Sequence, residues 1–294
     1  MQASADEGKT VKVGCVKDVA KRAKALQQAL VKSAPFGKPV TVHLKAGCTY
    51  TYPGNKKYFV VPDGRTIIGH GATLKGRTEL QSVVVPVTSG SRITLQDLTL
   101  TGPALCVNVP ASSHFTFRDV TMRCDVQGMT VADTGTADLL GNTELRGPGK
   151  ATEWLTGGAG LTIERGGTVH LRDQAKITNW AVSTSMVDIA GTENDTVSGA
   201  YRNPAHSYHA LGNGAGVLNM GTLTVEDQAK ITGNKVVRTT QQPKYPLSAD
   251  PYDAYKGGGI YNKEGATATV VPGSVTGNQP DQCAGPTPVS GCTN

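Results

Sequence analysis

The sequence has no apolar run approaching the roughly 20 residues a bilayer-crossing helix needs, so no membrane span is expected. Aromatic residues make up only 5% of the chain, while Gly contributes 36 residues. That balance favours many short strands joined by tight turns over helices packed around one large core. No Cys-x-x-Cys and no Cys/His spacing of the zinc kind occurs. The Asp and Glu residues form no EF-hand-type loop either. Neither a metal nor a cofactor is therefore expected. Helical periodicity is almost as scarce. It is clear only over Val16–Lys32, where Val16, Val19, Ala20, Ala23, Leu26, Ala29 and Leu30 recur at helical spacing opposite Lys and Arg. Pro35 and Gly37 stop that helix.

The chain does have six Cys, an even number, in three near pairs: Cys15 with Cys48, Cys106 with Cys124, and Cys283 with Cys292. Three disulfides and an oxidising compartment are expected. Six buried free thiols are the alternative. The net charge of +6 permits an anionic partner, with much of the excess in Lys17–Lys45. The polar start Gln2-Ala3-Ser4-Ala5-Asp6-Glu7 reads as the frayed beginning of a mature exported chain, so a secreted location is expected.

An internal repeat organises the rest. Asp-Gln-Ala-Lys-Ile-Thr occurs at 173–178 and again at 227–232. Weaker copies lie at Ile93–Asp97, Phe115–Asp119, Ala137–Gly141 and Ala268–Pro272. Leu95, Phe117 and Leu139 share one repeat position at intervals of 22 residues. Leu171, Val225 and Val270 follow at intervals of 32, 54 and 45. Against a base of 22, these intervals mark three insertions in a β-helix-like repeat.

Period-two alternation assigns the inside. Ile93, Leu95, Phe115, Phe117, Val169, Leu171, Leu223 and Val225 point inward. So do Leu98, Leu100, Val120, Met122, Ala175, Ile177, Ala229 and Ile231. One outward column should run Thr94, Thr116, Asp138, His170, Thr224, Thr269, and a second Thr99, Thr121, Glu144, Lys176, Lys230, Ser274. The row Asp97, Asp119, Asp173, Asp227 is expected at a turn, bonding its own backbone two residues on. Asn179, Asn234 and Asn278 are expected to end the next strand in a left-handed conformation. A lone helix before such a stack suits a cap over exposed strand edges.

Gly258-Gly259-Ile260-Tyr261-Asn262 and the degenerate Ala215-Gly216-Val217-Leu218-Asn219 resemble the Gly-Gly-x-x-Asn rungs of secreted bacterial parallel β-helix repeat proteins, the pectin-lyase-like superfamily. The Cys–helix–Leu44-Lys45-Ala46-Gly47-Cys48 opening resembles them too, as does the Val275-Thr276-Gly277-Asn278 ending before Cys283. The resemblance covers nearly the whole chain. It implies an all-β fold: one right-handed parallel β-helix with an N-terminal capping helix and long loop insertions on one side. Residues 1–38 would hold the N-terminal segment and helix, 39–282 the rungs, and 283–294 a disulfide tail. The superfamily holds lyases, hydrolases, epimerases and non-catalytic adhesins, so the resemblance implies no single activity.

The insertions, 148–158, 181–214 and 235–257, occupy one repeat position and should emerge on one flank. They hold Trp154, Tyr201, Tyr208, Tyr245, Tyr252 and Tyr255, and Trp180 borders the second of them. Such rings stack on sugar faces while their polar tips bond the rim; packing the loops together is their other possible use. A hydrolase would draw two carboxylates from Glu153, Asp188, Glu193 and Asp195. A uronate lyase would need a base and cations, for which His206, Tyr208, His209, Arg202, Arg146, Lys176 and Lys230 are available. Asp138 and His170, adjacent in one column, could be a base with its orienter or an ordinary surface contact.

A secreted polysaccharide hydrolase or lyase is the first expectation, acting as a monomer on a glycan with no nucleic-acid partner. A non-catalytic glycan or partner binder is the second. An enzyme closing those loops over a small non-sugar substrate is the third.

Overall fold

The structure is a computed structural model that describes residues 8–32, 38–51, 59–76, 82–102, 105–150, 160–184, 213–238 and 256–294. It is mostly strand, with one helix among the described residues, Val19–Lys32. All strand pairing is parallel.

A 14-stranded sheet holds two limbs. Its first limb takes strands in sequence order from Lys9–Val13 through Val40–Leu44, Arg65–Lys75, Arg92–Gly102, His114–Cys124, Thr136–Leu140, Thr168–Leu171 and Thr222–Val225 to Thr267–Val270. The second limb runs from Thr49–Thr51 along the later halves of the three long strands to Glu144–Arg146, Lys176–Thr178, Lys230–Thr232 and Val275–Thr276. An 8-stranded sheet takes the intervening strands, Phe59–Val61 to Cys283–Ala284, also in sequence order. The chain thus visits first limb, second limb and short sheet, then returns one strand further along.

Alternation fixes which side is inside. The inward residues named above are all buried, from Ile93 and Phe117 to Ile231. Both outward columns hold their register, Thr94 to Thr269 and Thr99 to Lys230. Ser274, expected to extend the second column outward, is instead buried.

Two details of the turns differ from expectation. His70, Asp97, Asp119, Asp173 and Asp227 all have positive φ, between 50° and 56°. Three of the four Asp carboxylates bond the neighbouring repeat, not their own backbone. Asp119 Oδ1 accepts from Asn142 N at 2.8 Å, Asp173 Oδ2 from Gly141 N at 2.7 Å, and Asp227 Oδ2 from Asp173 N at 3.1 Å. The bends are therefore tied to one another across repeats. The second difference is a shift of one residue. Asn179 takes the left-handed position, where Gly233 and Gly277 sit in the later repeats. Asn234 and Asn278 occupy the next, buried position, which Trp180 fills in its own repeat.

The helix closes the first edge. Ala23, Leu26 and Leu30 bury against the stack, whereas Val16 and Val19 are each 48% exposed, against the helical-face expectation. Ala29 packs half-buried against the same core, and the helix begins only at Val19, with Asp18 capping it through Lys21 N, so Val16 lies before it. Gln27 pairs both ways with the backbone of Val60, in the outermost strand of the short sheet. An open edge is thereby satisfied by a side chain.

All three disulfides pair as expected: Cys15–Cys48, Cys106–Cys124 and Cys283–Cys292. They point to folding in an oxidising compartment. Among the described residues no helix is long and apolar enough to cross a membrane.

Candidate functional site

Each insertion leaves after the second limb and returns at the short sheet. The exits are hydrogen-bonded neighbours. Gly147 N donates to Thr178 O and Gly149 N to Asn179 O, and Lys235 N donates to Trp180 O. The returns are neighbours as well: Leu161 N donates to Gly216 O, and Gly216 N to Gly258 O. The described ends of all three insertions therefore lie along one edge. The second and third insertions also begin with a strand pair that repeat counting did not reveal, Ala181–Thr184 alongside Lys235–Arg238.

The glycines at the returns are required by this stacking. A Cβ at Gly160 would lie 2.4 Å from Gly216 O, and one at Gly216 would lie 2.5 Å from Gly259 O. No side chain fits between backbones at that distance. The Gly-Gly-x-x-Asn pattern follows from this edge. Its Asn forms a buried relay at the far end of the strand, where Asn219 Nδ2 donates to Asn262 Oδ1 at 2.7 Å and to Thr267 O. A second buried relay lines the exits. Asn234 Oδ1 accepts from Trp180 N, its Nδ2 donates to Ile177 O, and its backbone N donates to Asn278 Oδ1.

Trp180 is a core residue, contrary to its expected role at a binding surface. It is 1% exposed, and its Nε1 donates to Leu145 O at 3.0 Å. Its indole fits over Gly128 and Gly160, where a Cβ would come within 3.0 Å of the ring. The remaining aromatic and catalytic candidates lie outside the described residues: Glu153, Trp154, Asp188, Glu193, Asp195, Tyr201, Arg202, His206, Tyr208, His209, Tyr245, Tyr252 and Tyr255.

The three expected cations of the scaffold are described, and they cluster. Lys176 and Lys230 are register partners in one column, and Arg146 pairs with Thr178 in the adjacent column. Neighbouring strands stand about 4.8 Å apart. Arg146 and Lys176 are exposed. Lys230 Nζ donates to Gly273 O, and Glu144 beside Lys176 accepts from Thr178 Oγ1 at 2.7 Å. Such a strip, on the limb leading into the exits, can hold a carboxylate.

The first limb carries a separate cluster. Asp138 and His170 are register partners as read from the repeat. The hydrogen bond runs elsewhere: His114 Nε2 donates to Asp138 Oδ2 at 2.6 Å, with the His114 side chain 49% and the Asp138 side chain 17% exposed. His170 Nδ1 is buried with no hydrogen-bond partner. Sequence reasoning missed His114 because it followed columns only. The available signal was the diagonal, since His114 lies two residues before Thr116, the partner of Asp138. A carboxylate on an imidazole can orient it for proton transfer.

Among the described residues, no three His, Cys, Asp or Glu side chains gather as a metal site requires.

Nothing among protein-family models, curated proteins or solved structures matches this chain.

Proposed function

We propose that the chain is a right-handed parallel β-helix of the pectin-lyase-like kind, and that it acts outside the cell on an acidic polysaccharide as a hydrolase or lyase. One observation carries this reading: the exits and returns of the three insertions are hydrogen-bonded neighbours along one edge. Loops rooted side by side on a rigid scaffold are where binding and catalytic groups collect. Their sequences hold five of the chain's nine Tyr, the candidate carboxylates Glu153, Asp188, Glu193 and Asp195, and two of its six His. The cationic strip of Arg146, Lys176 and Lys230 leads into the same edge and favours a uronate-bearing polymer.

The test is direct. The purified chain is incubated with a panel of acidic and neutral polysaccharides, and reducing ends and unsaturated-uronate absorbance are followed. Release from an acidic polymer is expected. Single His206→Ala, Tyr208→Phe and His209→Ala variants should lose at least about a hundredfold in rate if one is the acid or base. Their melting temperatures should stay close to the parent's, since these positions lie in an insertion and outside the repeat's inward positions. No release from any polymer would overturn the enzymatic reading. Retained binding in that case would assign the chain to non-catalytic glycan binding.

A further inference from the structure

We propose that the N-terminal cap is a docking surface for an acidic polysaccharide, separate from the insertion edge. Residues 1–51 contain nine Lys and Arg against three Asp and Glu, whereas the whole chain contains 29 against 23. The first 51 residues thus hold the entire net charge of +6, and the remaining residues balance at 20 of each sign. Asymmetry on this scale is an electrostatic footprint.

The fold gathers that charge at one end. The helix and the strands Lys9–Val13 and Val40–Leu44 form the opening edge of the large sheet. Lys9, Lys12, Lys17, Lys21, Lys24, Lys32 and Lys45 are all exposed. None of these seven forms an ion pair among the described residues. The one acid in the described part of the cap, Asp18, is engaged in capping the helix through Lys21 N. Arg22, by contrast, has a plain structural task. Its guanidinium donates to Val16 O, Lys17 O and Thr49 O and ties the helix to the strand that follows.

The lysine placement works against helix stability. Lys17 precedes the helix, and within it Lys21 and Lys24 are three residues apart on the exposed side, a spacing at which like charges repel. Lys21 also sits in the first turn, where the macrodipole disfavours positive charge. Only Lys32, in the last turn, suits the dipole. A cap selected for stability alone would carry acids in its first turn, and this one has none there. Recognition of an external polyanion accounts for the pattern.

Two observations select the partner. The described part of the cap exposes Val16, Val19 and Val31 but no Leu, Phe, Tyr or Trp. Bilayer insertion draws on such larger side chains, and single-stranded nucleic acid draws on rings for stacking. The Cys15–Cys48 disulfide lies within the cap and places it in an oxidising compartment. A carboxylate- or sulfate-bearing glycan, held by charge alone, fits both.

The experiment uses the full chain and measures binding by co-sedimentation or calorimetry, with no activity readout. Its failure is therefore distinguishable from failure of the catalytic reading. The probes are polygalacturonate, neutral dextran, phosphatidylserine vesicles and duplex DNA. Polygalacturonate should bind and dextran should not. Raising salt from about 0.05 M to about 0.5 M should weaken binding at least tenfold, as screening shortens the reach of surface charge. The triple variant Lys17→Gln, Lys21→Gln, Lys24→Gln should lose about thirtyfold, roughly threefold per charge. A control removes three exposed cations elsewhere, Arg123→Gln, Arg165→Gln and Lys263→Gln, and should keep parental affinity. Thermal midpoints of both variants verify folding. Equal loss in the control, salt-insensitive binding, no polygalacturonate binding, or tighter binding to vesicles or DNA would each overturn the proposal.

Discussion

Arg65 carries more structural duty than its neighbours in sequence indicate. It is 1% exposed, and its guanidinium donates to Leu30 O, Lys38 O and Asp63 O. It meets the C-terminal end of the helix, where the dipole favours a cation. Burial pulls its pKa down, and the Asp63 carboxylate opposes that shift. Arg65→Ala should cost about 3–5 kcal/mol in urea unfolding, because it strands buried carbonyls. Glu164 makes a different point. Burial raises its pKa first, and the nearby Asp133 carboxylate raises it further. A raised carboxylate favours the fold below the unfolded-state value and loses that contribution as pH climbs through the folded-state value. Glu164→Gln should therefore raise the melting temperature at pH 7, with the gain disappearing near pH 4. Neither residue was legible from the repeat. Arg65 looks like one more surface cation until the helix terminus is placed against it, and Asp133 lies 31 positions before Glu164.

At the scale of the element, the helix and its disulfide form one unit. Cys15–Cys48 closes a separation of 33 residues around the helix. Tyr50 is buried beside it, its hydroxyl donating to Val13 O and accepting from Lys45 N. The double variant Cys15→Ser, Cys48→Ser should lose about 3–4 kcal/mol. Hydrogen exchange should quicken first in Lys9–Val13 and the helix, since those elements lie at the stack's edge. The helix, the repeat strands with their inward residues and the three cysteine pairs were readable beforehand, because period and proximity are local properties; the strand pair Ala181–Thr184 and Lys235–Arg238 was not. The one-residue shift at Asn179, Gly233 and Gly277 was not. Asn serves two purposes here, a left-handed turn and a buried backbone relay, and only neighbouring repeats reveal which applies at each position.

At the scale of the whole molecule, each strand pairs mainly with the equivalent strands of the repeats before and after it. Phe117 is buried in the middle of the long sheet. Phe117→Ala should cost about 3–5 kcal/mol. In the proposed solenoid the resulting loss of exchange protection should concentrate in Arg92–Gly102 and Thr136–Leu140 and fade towards both ends. By itself the sequence determined the parallel-strand repeat, its inside and outside, its columns and its insertion points, because each is encoded in spacing along the chain. The tertiary structure decided that Asp138 bonds His114 and not His170, and that Trp180 belongs to the core. Those outcomes depend on which side chains arrive next to one another from residues 20 or more positions apart, and one-dimensional spacing carries no direction across strands.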